Sequence, residues 1–259
     1  MATSHNPPSL RTAMILAAGY GTRMADLTRE LPKPLLPLNG MPIIEVVIRK
    51  LARQGIERAV VNLHYRPDKM REFLDDGSRF GLEVIYSEEP ALLGSGGGIA
   101  NAEKYFNGET ILAANADVLC DLDIGEFYDF HCRSGALATM AVQPSANHRD
   151  YSLALFDAAN SLKNFLGKNE EIPRDVHAGI FTGYQILTPG ARAYLKPENQ
   201  SIITELYRKA LGRGERIAVF PFTGRWIDVG EREFYLALLQ KIRAGEVDLA
   251  DFIGPGEFR

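Results

Sequence analysis

At 259 residues, with 46% hydrophobic and 24% charged side chains, the chain has the make-up of an ordinary folded protein and is neither collagen-like, low-complexity nor disordered. Its 29 Lys and Arg against 33 Asp and Glu give a formal net charge of -4, so the positive excess that drives phosphate-backbone binding is absent and no nucleic-acid partner is expected. Two cysteines are too few for a disulfide scaffold and fit the reduced thiols of a cytoplasmic protein. Residues 1–12, with Pro7 and Pro8, read as a flexible N-terminal tail. The apolar run 13–18 stops at Gly19, too short for a membrane span, so no membrane partner is expected and the run reads as a buried first strand. An amphipathic helix is predicted over 42–55, ending at Gly55, and a second strand over 58–65. A helix over 67–77, a strand over 82–87, a helix over 97–106 and a strand over 110–117 continue the alternation. Strand and helix in turn imply right-handed crossovers, hence an α/β fold with a Rossmann-like, mostly parallel open sheet and helices on both faces. After a helix near 124–135 come strand-like runs at 136–143, 151–157, 161–167 and 176–187, expected as a small antiparallel β addition. A helix over 201–211, a strand over 216–221, the segment 225–230 and a closing helix over 231–245 complete one domain spanning 13–245. Residues 246–259 are left as a C-terminal tail.

Many of the 24 glycines are clustered, which marks places where backbone comes close to something. In an open parallel sheet ligands bind beyond the carboxyl ends of the strands, and the first such loop reads LAAGYGTRMADLTRELPKPLLP. Gly19 and Gly21 free the amides around Tyr20 to point at an anion, and Arg23 and Lys33 add two cations, a set that suits a triphosphate. A dinucleotide fingerprint fails because position 24 is Met24, and a Walker A loop fails because no Gly-Lys-Ser/Thr follows. A plain strand-to-helix turn stays open beside the phosphate reading. A second cluster, Gly94 with Gly96, Gly97 and Gly98, leads from strand to helix, where a flat group packing on bare backbone or a hinge loop both fit. Glu89, five residues before Gly94, is placed to accept hydrogen bonds from a base edge, or is simply solvated. Asp117 ends a strand and Asp228 sits beside Gly230; Mg²⁺ is commonly held by one or two carboxylates plus phosphate oxygens and water.

The segments Leu16-Ala17-Ala18-Gly19-Tyr20-Gly21-Thr22-Arg23-Met24, Leu27-Thr28 and Leu31-Pro32-Lys33-Pro34-Leu35 resemble the signature of the sugar-1-phosphate nucleotidyltransferases, also called nucleotide-sugar pyrophosphorylases. The resemblance runs from Met14 to about Tyr235 with the motifs in the family's order; Asp26 stands where the family usually has Pro. It implies an enzyme that uses an NTP and a sugar 1-phosphate, with Mg²⁺ as cofactor, to make an NDP-sugar and pyrophosphate. Ala17, Ala18, Gly19, Gly21 and Thr22 then fall on the nucleotide, and Arg23 and Lys33 on the catalytic handling of its phosphates. Glu89, Gly94 and Gly96 fall at the base, and Asp117 and Asp228 jointly on the metal, with Ala116 in place of the family's usual Gly. Lys168 occupies the place of the lysine in the family's Phe-x-Glu-Lys-Pro element, although its neighbours here are Gly167 and Asn169, and Lys163 is the competing phosphate ligand. His177 and Gly179 match a stretch that lies under the sugar. The Gly96-Gly97-Gly98-Ile99 run is most like compact bacterial members, among them N-acetylmuramate-1-phosphate uridylyltransferases and mannose- or heptose-1-phosphate guanylyltransferases. UTP with an amino-sugar 1-phosphate is the leading pair and GTP with mannose or heptose 1-phosphate the alternative. A non-catalytic nucleotide-sugar-binding regulator of the same fold is the reading from another class. Whether the chain forms a homo-oligomer is not legible.

Overall fold

The computed structural model describes residues 10–145 and 151–254; residues 1–9 and 255–259 of the two expected tails lie outside the described residues. The strands are β1 (Thr12–Leu16), β2 (Pro37–Leu38), β3 (Met41–Pro42), β4 (Arg58–Leu63), β5 (Glu83–Glu88), β6 (Ile111–Asn115), β7 (Val118–Cys120), β8 (Ala138–Pro144), β9 (Leu153–Phe156), β10 (Leu162–Leu166), β11 (His177–Leu187), β12 (Ile217–Pro221) and β13 (Trp226–Asp228). The α-helices are α1 (Ile43–Arg53), α2 (Pro67–Leu74), α3 (Gly94–Asn101), α4 (Ile124–Ser134), α5 (Pro189–Arg192), α6 (Lys209–Gly212), α7 (Arg232–Arg243) and α8 (Ala250–Ile253). One mixed sheet runs β10-β9-β11-β6-β1-β4-β5, with β8 also paired to β11 and β12 paired to β8. Its β6-β1-β4-β5 portion is parallel, with Ile15 facing Val61 on one side and Ala114 on the other. The antiparallel addition is integral to this sheet, because the long β11 pairs antiparallel with β6, β8 and β9.

Parallel strands bury both faces, so successive residues of β1 feed two cores. Ala13 and Ile15 pack with Ile44, Val47 and Leu51 of α1 and Phe127 of α4, whereas Met14 packs with Ile99 of α3 and with Leu206 and Tyr207. The helix ends follow local chemistry: Gly55 stops α1 at φ 88°, and α4 begins where the Asp123 carboxylate accepts the Glu126 N–H at 2.8 Å. Asp121, two residues earlier, accepts from the Arg225 backbone N–H at 2.8 Å and from its guanidinium. A third core gathers Met24, Leu119, Val229 and Leu238 beneath the first glycine loop. The segment expected as a C-terminal tail contributes to it through α8, where Phe252 and Ile253 are buried. Two apolar residues in a short stretch carry no periodic signal, so only the packing reveals them.

His131 of α4 is buried with Nδ1 2.7 Å from the Thr139 hydroxyl, and burial lowers its pKa from 6.5 to about 4. The unfolded chain therefore takes up a proton at a pH where the native protein does not, and stability falls as pH drops from 6.5 towards 4. The expected loss is up to about 3 kcal/mol. Urea midpoints between pH 7 and 4.5 test this, because His131→Asn flattens the decline.

Candidate active site

The carboxyl ends of β1, β4 and β6 converge on a cavity of about 350 Å³. The chain leaving β1 supplies Ala17, Ala18, Gly19, Gly21, Thr22 and Arg23 to its wall; Lys33, Gly94 and Asp117 complete the expected residues found there. The two glycines of the first loop do different things. Gly21 has φ 66°, and a Cβ on it would lie 3.0 Å from both the Lys33 Cβ and the Thr28 Cγ2, so the fold requires glycine. At Gly19 a Cβ would meet no protein atom within 4 Å and φ is unexceptional. Bare backbone there leaves space beside the cavity that the fold itself does not use. Gly21→Ala is accordingly expected to destabilise by about 1–2 kcal/mol. Gly19→Ala should leave Tm unchanged or slightly raised while weakening nucleotide binding about tenfold, or 1.4 kcal/mol. Thermal melts with and without nucleotide separate the two effects.

Pro32 opens a 3-10 turn at Lys33–Leu35, placing the Lys33 side chain in the protein with 11% exposure, where its ammonium is ion-paired to Asp117. Arg23 is largely exposed and bonds Glu231 at 2.9 Å. Such a surface pair is held weakly and is readily exchanged for a phosphate. Asp117 and Asp228, far apart in sequence, are brought together by a separate two-stranded ribbon, β7 with β13, in which Asp228 faces Val118. The Val229 N–H also donates to the Asp117 carbonyl at 2.9 Å. Burial first, and then the Asp117 charge, push the Asp228 carboxyl above the usual carboxylate range, against the Gly230 N–H bond and the charges of Lys33 and Arg23. Among the described residues no group of three or more His, Cys, Asp and Glu side chains is placed to hold a metal. Two mutually repelling carboxylates beside a cavity that Arg23 and Lys33 line fit a divalent ion whose remaining ligands would be phosphate oxygens and water.

The second glycine cluster departs from expectation. Gly94, Gly96, Gly97 and Gly98 are not a loop but the start of α3, and protein packing accounts for most of them. A Cβ on Gly97 would stand 2.0 Å from the Glu198 carbonyl oxygen, and one on Gly96 would stand 3.2 Å from Gln200 and Leu195 atoms. On Gly98 it would meet the Glu89 carboxylate and the Asn62 amide, at 2.6 and 2.7 Å. Gly96, expected at the base, is thus buried against 195–202, and its N–H donates to the Gln200 carbonyl at 3.0 Å. Glu89, expected at a base edge, is 3% exposed. Its two carboxylate oxygens accept from the Asn62 side chain at 2.6 Å and from the Leu93 N–H at 2.9 Å. Asn62 in turn accepts the Ala17 N–H at 2.6 Å, so Asn62 and Glu89 tie the first glycine loop to the start of α3.

Asn62 and Asn115 line the cavity and are additions to the residues expected from sequence. Asn62 had one signal, a polar side chain near the carboxyl end of a buried strand. Asn115 has room because Gly183, at φ 89° in an irregular stretch of β11, lacks the Cβ that would lie 2.7 Å from its amide.

On the acceptor side the expected residues do not line this cavity. Lys168 is exposed after β10, and Lys163 is exposed and paired to Asp157 at 2.7 Å, so both lysines stay open as phosphate ligands. His177 is exposed with its ring 5.5 Å from that of Phe156. Gly179, expected as a sugar floor, is required by strand packing, since a Cβ there would stand 2.5 Å from the Gln143 carbonyl oxygen of β8. A second cavity of about 270 Å³ abuts Asp228 and is walled by Tyr151, Trp226, Phe234, Leu238 and Lys241.

Comparison with known proteins gives three kinds of match. The Nucleotidyl transferase family model matches residues 12–245. The mannose-1-phosphate guanylyltransferase catalytic subunit beta of Drosophila melanogaster is 30% identical over 228 residues, which cover 86% of this chain and 60% of that protein. The mannose-1-phosphate guanylyltransferase of Mycobacterium tuberculosis is 34% identical over 248 residues, 94% of this chain and 66% of that one. The UTP–glucose-1-phosphate uridylyltransferase of Synechocystis is 26% identical over 253 residues, 91% and 64% respectively. The chain thus spans about 60% of the length of the first of these relatives. The crystal structure of HddC from Yersinia pseudotuberculosis complexed with GMP-PN superposes with a TM-score of 0.76 at 23% identity, covering 90% of this chain and all of that one, and shows the same fold.

Proposed function

Because the chain belongs to the Nucleotidyl transferase family, we propose that it transfers a nucleotidyl group from an NTP to a sugar 1-phosphate, releasing pyrophosphate. The observation that carries this reading is that Gly19, Arg23, Lys33 and Asp117 line one cavity, with open space where Gly19 lacks a side chain. An oxygen of the sugar phosphate attacks the α-phosphorus, a new P–O bond forms, and the bond to the bridging oxygen of the leaving pyrophosphate breaks. That nucleophile is already an anion, so no general base is needed, and the work of the protein is alignment and screening of charge. The amides of the first loop and Arg23 hold the terminal phosphates, and Lys33 faces the phosphate that is attacked. Asp117 and Asp228 are the residues that would hold Mg²⁺, which supplies charge screening between the two phosphate groups when bound. The aromatic cavity beside Asp228 supports entry of the acceptor from that side, with Lys168 meeting its phosphate. No helix among the described residues is long and apolar enough to cross a membrane, and the free thiols of Cys120 and Cys132 support a reducing, cytoplasmic setting.

GTP with mannose 1-phosphate is the first pair to test, because the Drosophila and mycobacterial relatives are guanylyltransferases by name. The glycine run that favoured UTP with an amino-sugar 1-phosphate packs against 195–202, Glu89 and Asn62, which accounts for its glycines without a base. The uridylyl reading keeps the support of the Synechocystis relative. Pyrophosphate release is measured with Mg²⁺, each NTP and a panel of mannose, heptose, glucose, N-acetylglucosamine and N-acetylmuramate 1-phosphates. One productive pair is expected; silence across the panel, with nucleotide sugars still bound, establishes the regulator instead.

A further inference from the structure

The aspartate-bearing ribbon β7–β13 is not paired into the main sheet; on the sheet side the two-residue link from β6 and the Trp226 Nε1–H, which donates to the Thr182 carbonyl of β11 at 3.0 Å, tie it down, and on the helix side α1 does. The face that α1 buries is made of Ile43, Ile44, Val46, Val47, Ile48 and Leu51, and in its midst is a lysine, Lys50, 1% exposed. Its ammonium donates to the Cys120 carbonyl at the end of β7 and to the Leu122 carbonyl at 2.7 Å. One helical turn on, Gln54 accepts the Ile124 N–H at 2.6 Å and donates to the same Leu122 carbonyl at 3.3 Å. Asp121, between the two clamped carbonyls, binds both the N–H and the guanidinium of Arg225, one residue before β13. A buried ammonium is costly and is a poor stabiliser compared with an apolar side chain of the same size. Burial lowers the Lys50 pKa from 10.5 to about 8, against the raising effect of Cys120, Asp121 and Asp123.

We infer that Lys50 is a positioning residue for the proposed reaction: from the far side of the ribbon it fixes β7, and through the β7–β13 pairing it fixes the approach of Asp117 to Asp228. The inference rests on the reading of those two aspartates as the metal pair. Removing the clamp lets the ribbon shift while the parallel sheet that carries the nucleotide loop stays in place.

Lys50→Met keeps the volume and removes the donors. In the full-length protein without metal, amide exchange over 118–120 and 226–228 is expected to rise at least about tenfold, with β1, β4 and β6 unchanged. The Mg²⁺ concentration for half-maximal pyrophosphate release is expected to rise about 10–100-fold, with KM for the NTP little changed. Gln54→Leu, a milder cut at the same clamp, shifts both readouts in the same direction by less and serves if the Met variant does not fold. Leu51→Ala loosens the same helix without removing a hydrogen bond to the segment 120–124 and is expected to leave the Mg²⁺ midpoint in place. Unchanged ribbon exchange in both clamp variants, or an equal Mg²⁺ shift in Leu51→Ala, overturns the inference. Faster ribbon exchange with an unmoved midpoint also overturns it, provided that Asp117→Asn does move the midpoint. If Asp117→Asn leaves the midpoint unmoved as well, the metal pair itself is wrong, and the inference falls with it.

Discussion

Asp117→Ala is expected to lower the rate of pyrophosphate release by at least about 10²–10³-fold while the protein stays folded. Asp117 does two things at once in the structure: it shares the ribbon site with Asp228, and it is the ion-pair partner of the Lys33 ammonium. The alanine variant loses half of the carboxylate pair and frees Lys33 to sit wherever phosphate draws it. Ground-state nucleotide binding is therefore expected to change far less than turnover, because a freed cation compensates for the loss of a proposed metal ligand in binding but not in alignment. Steady-state kinetics at saturating Mg²⁺, together with nucleotide titrations in the absence of acceptor, measure the two separately. Undiminished pyrophosphate release by the variant would remove Asp117 from the mechanism.

The second large effect is at Lys33. Lys33→Met preserves bulk in the turn after Pro32 but leaves the two carboxylates without their buried counter-charge, and it removes the cation proposed to meet the attacked phosphate. A loss of about 10²–10³ in kcat is expected, with weaker NTP binding as well. Arginine is a poor rescue, since its planar fork does not fit the compact, nearly enclosed space that holds the ammonium against Asp117. The groups touch, so their contributions are not additive. The double variant Lys33→Met/Asp117→Asn should fall short of the product of the two single losses, and the neutral pair should recover stability that either single change costs. Rates and urea midpoints of the four proteins complete the cycle.

These expectations draw on two kinds of knowledge about the chain. The order of strands and helices, the end of α1 at Gly55 and the cap of α4 at Asp123 follow from residues adjacent in sequence, because periodicity and capping are decided within a few residues. The first loop is local in the same sense: Gly19, Gly21, Arg23 and Lys33 lie within one turn-rich stretch at a strand's carboxyl end, and they meet in the cavity. The second glycine cluster misled for the opposite reason. What fills the space beside Gly96, Gly97 and Gly98 comes from residues 195–202 and from Glu89 and Asn62, and composition does not distinguish backbone that approaches a base from backbone that approaches another segment of the same protein. Glu89 turned from a base reader into a buried tie for the same cause.

The sequence by itself determined that this is an α/β chain with a glycine-rich loop carrying Arg23 and Lys33 after its first strand, since those properties depend on neighbours along the chain. Only the tertiary structure decided that Asp117 meets Asp228 across a ribbon held outside the sheet, that Phe252 and Ile253 belong to the core, and that a lysine in an apolar helix face is satisfied by two carbonyls some seventy residues away. Contacts of that kind depend on how the chain closes on itself, and burial and charge have no value for a residue until its surroundings exist.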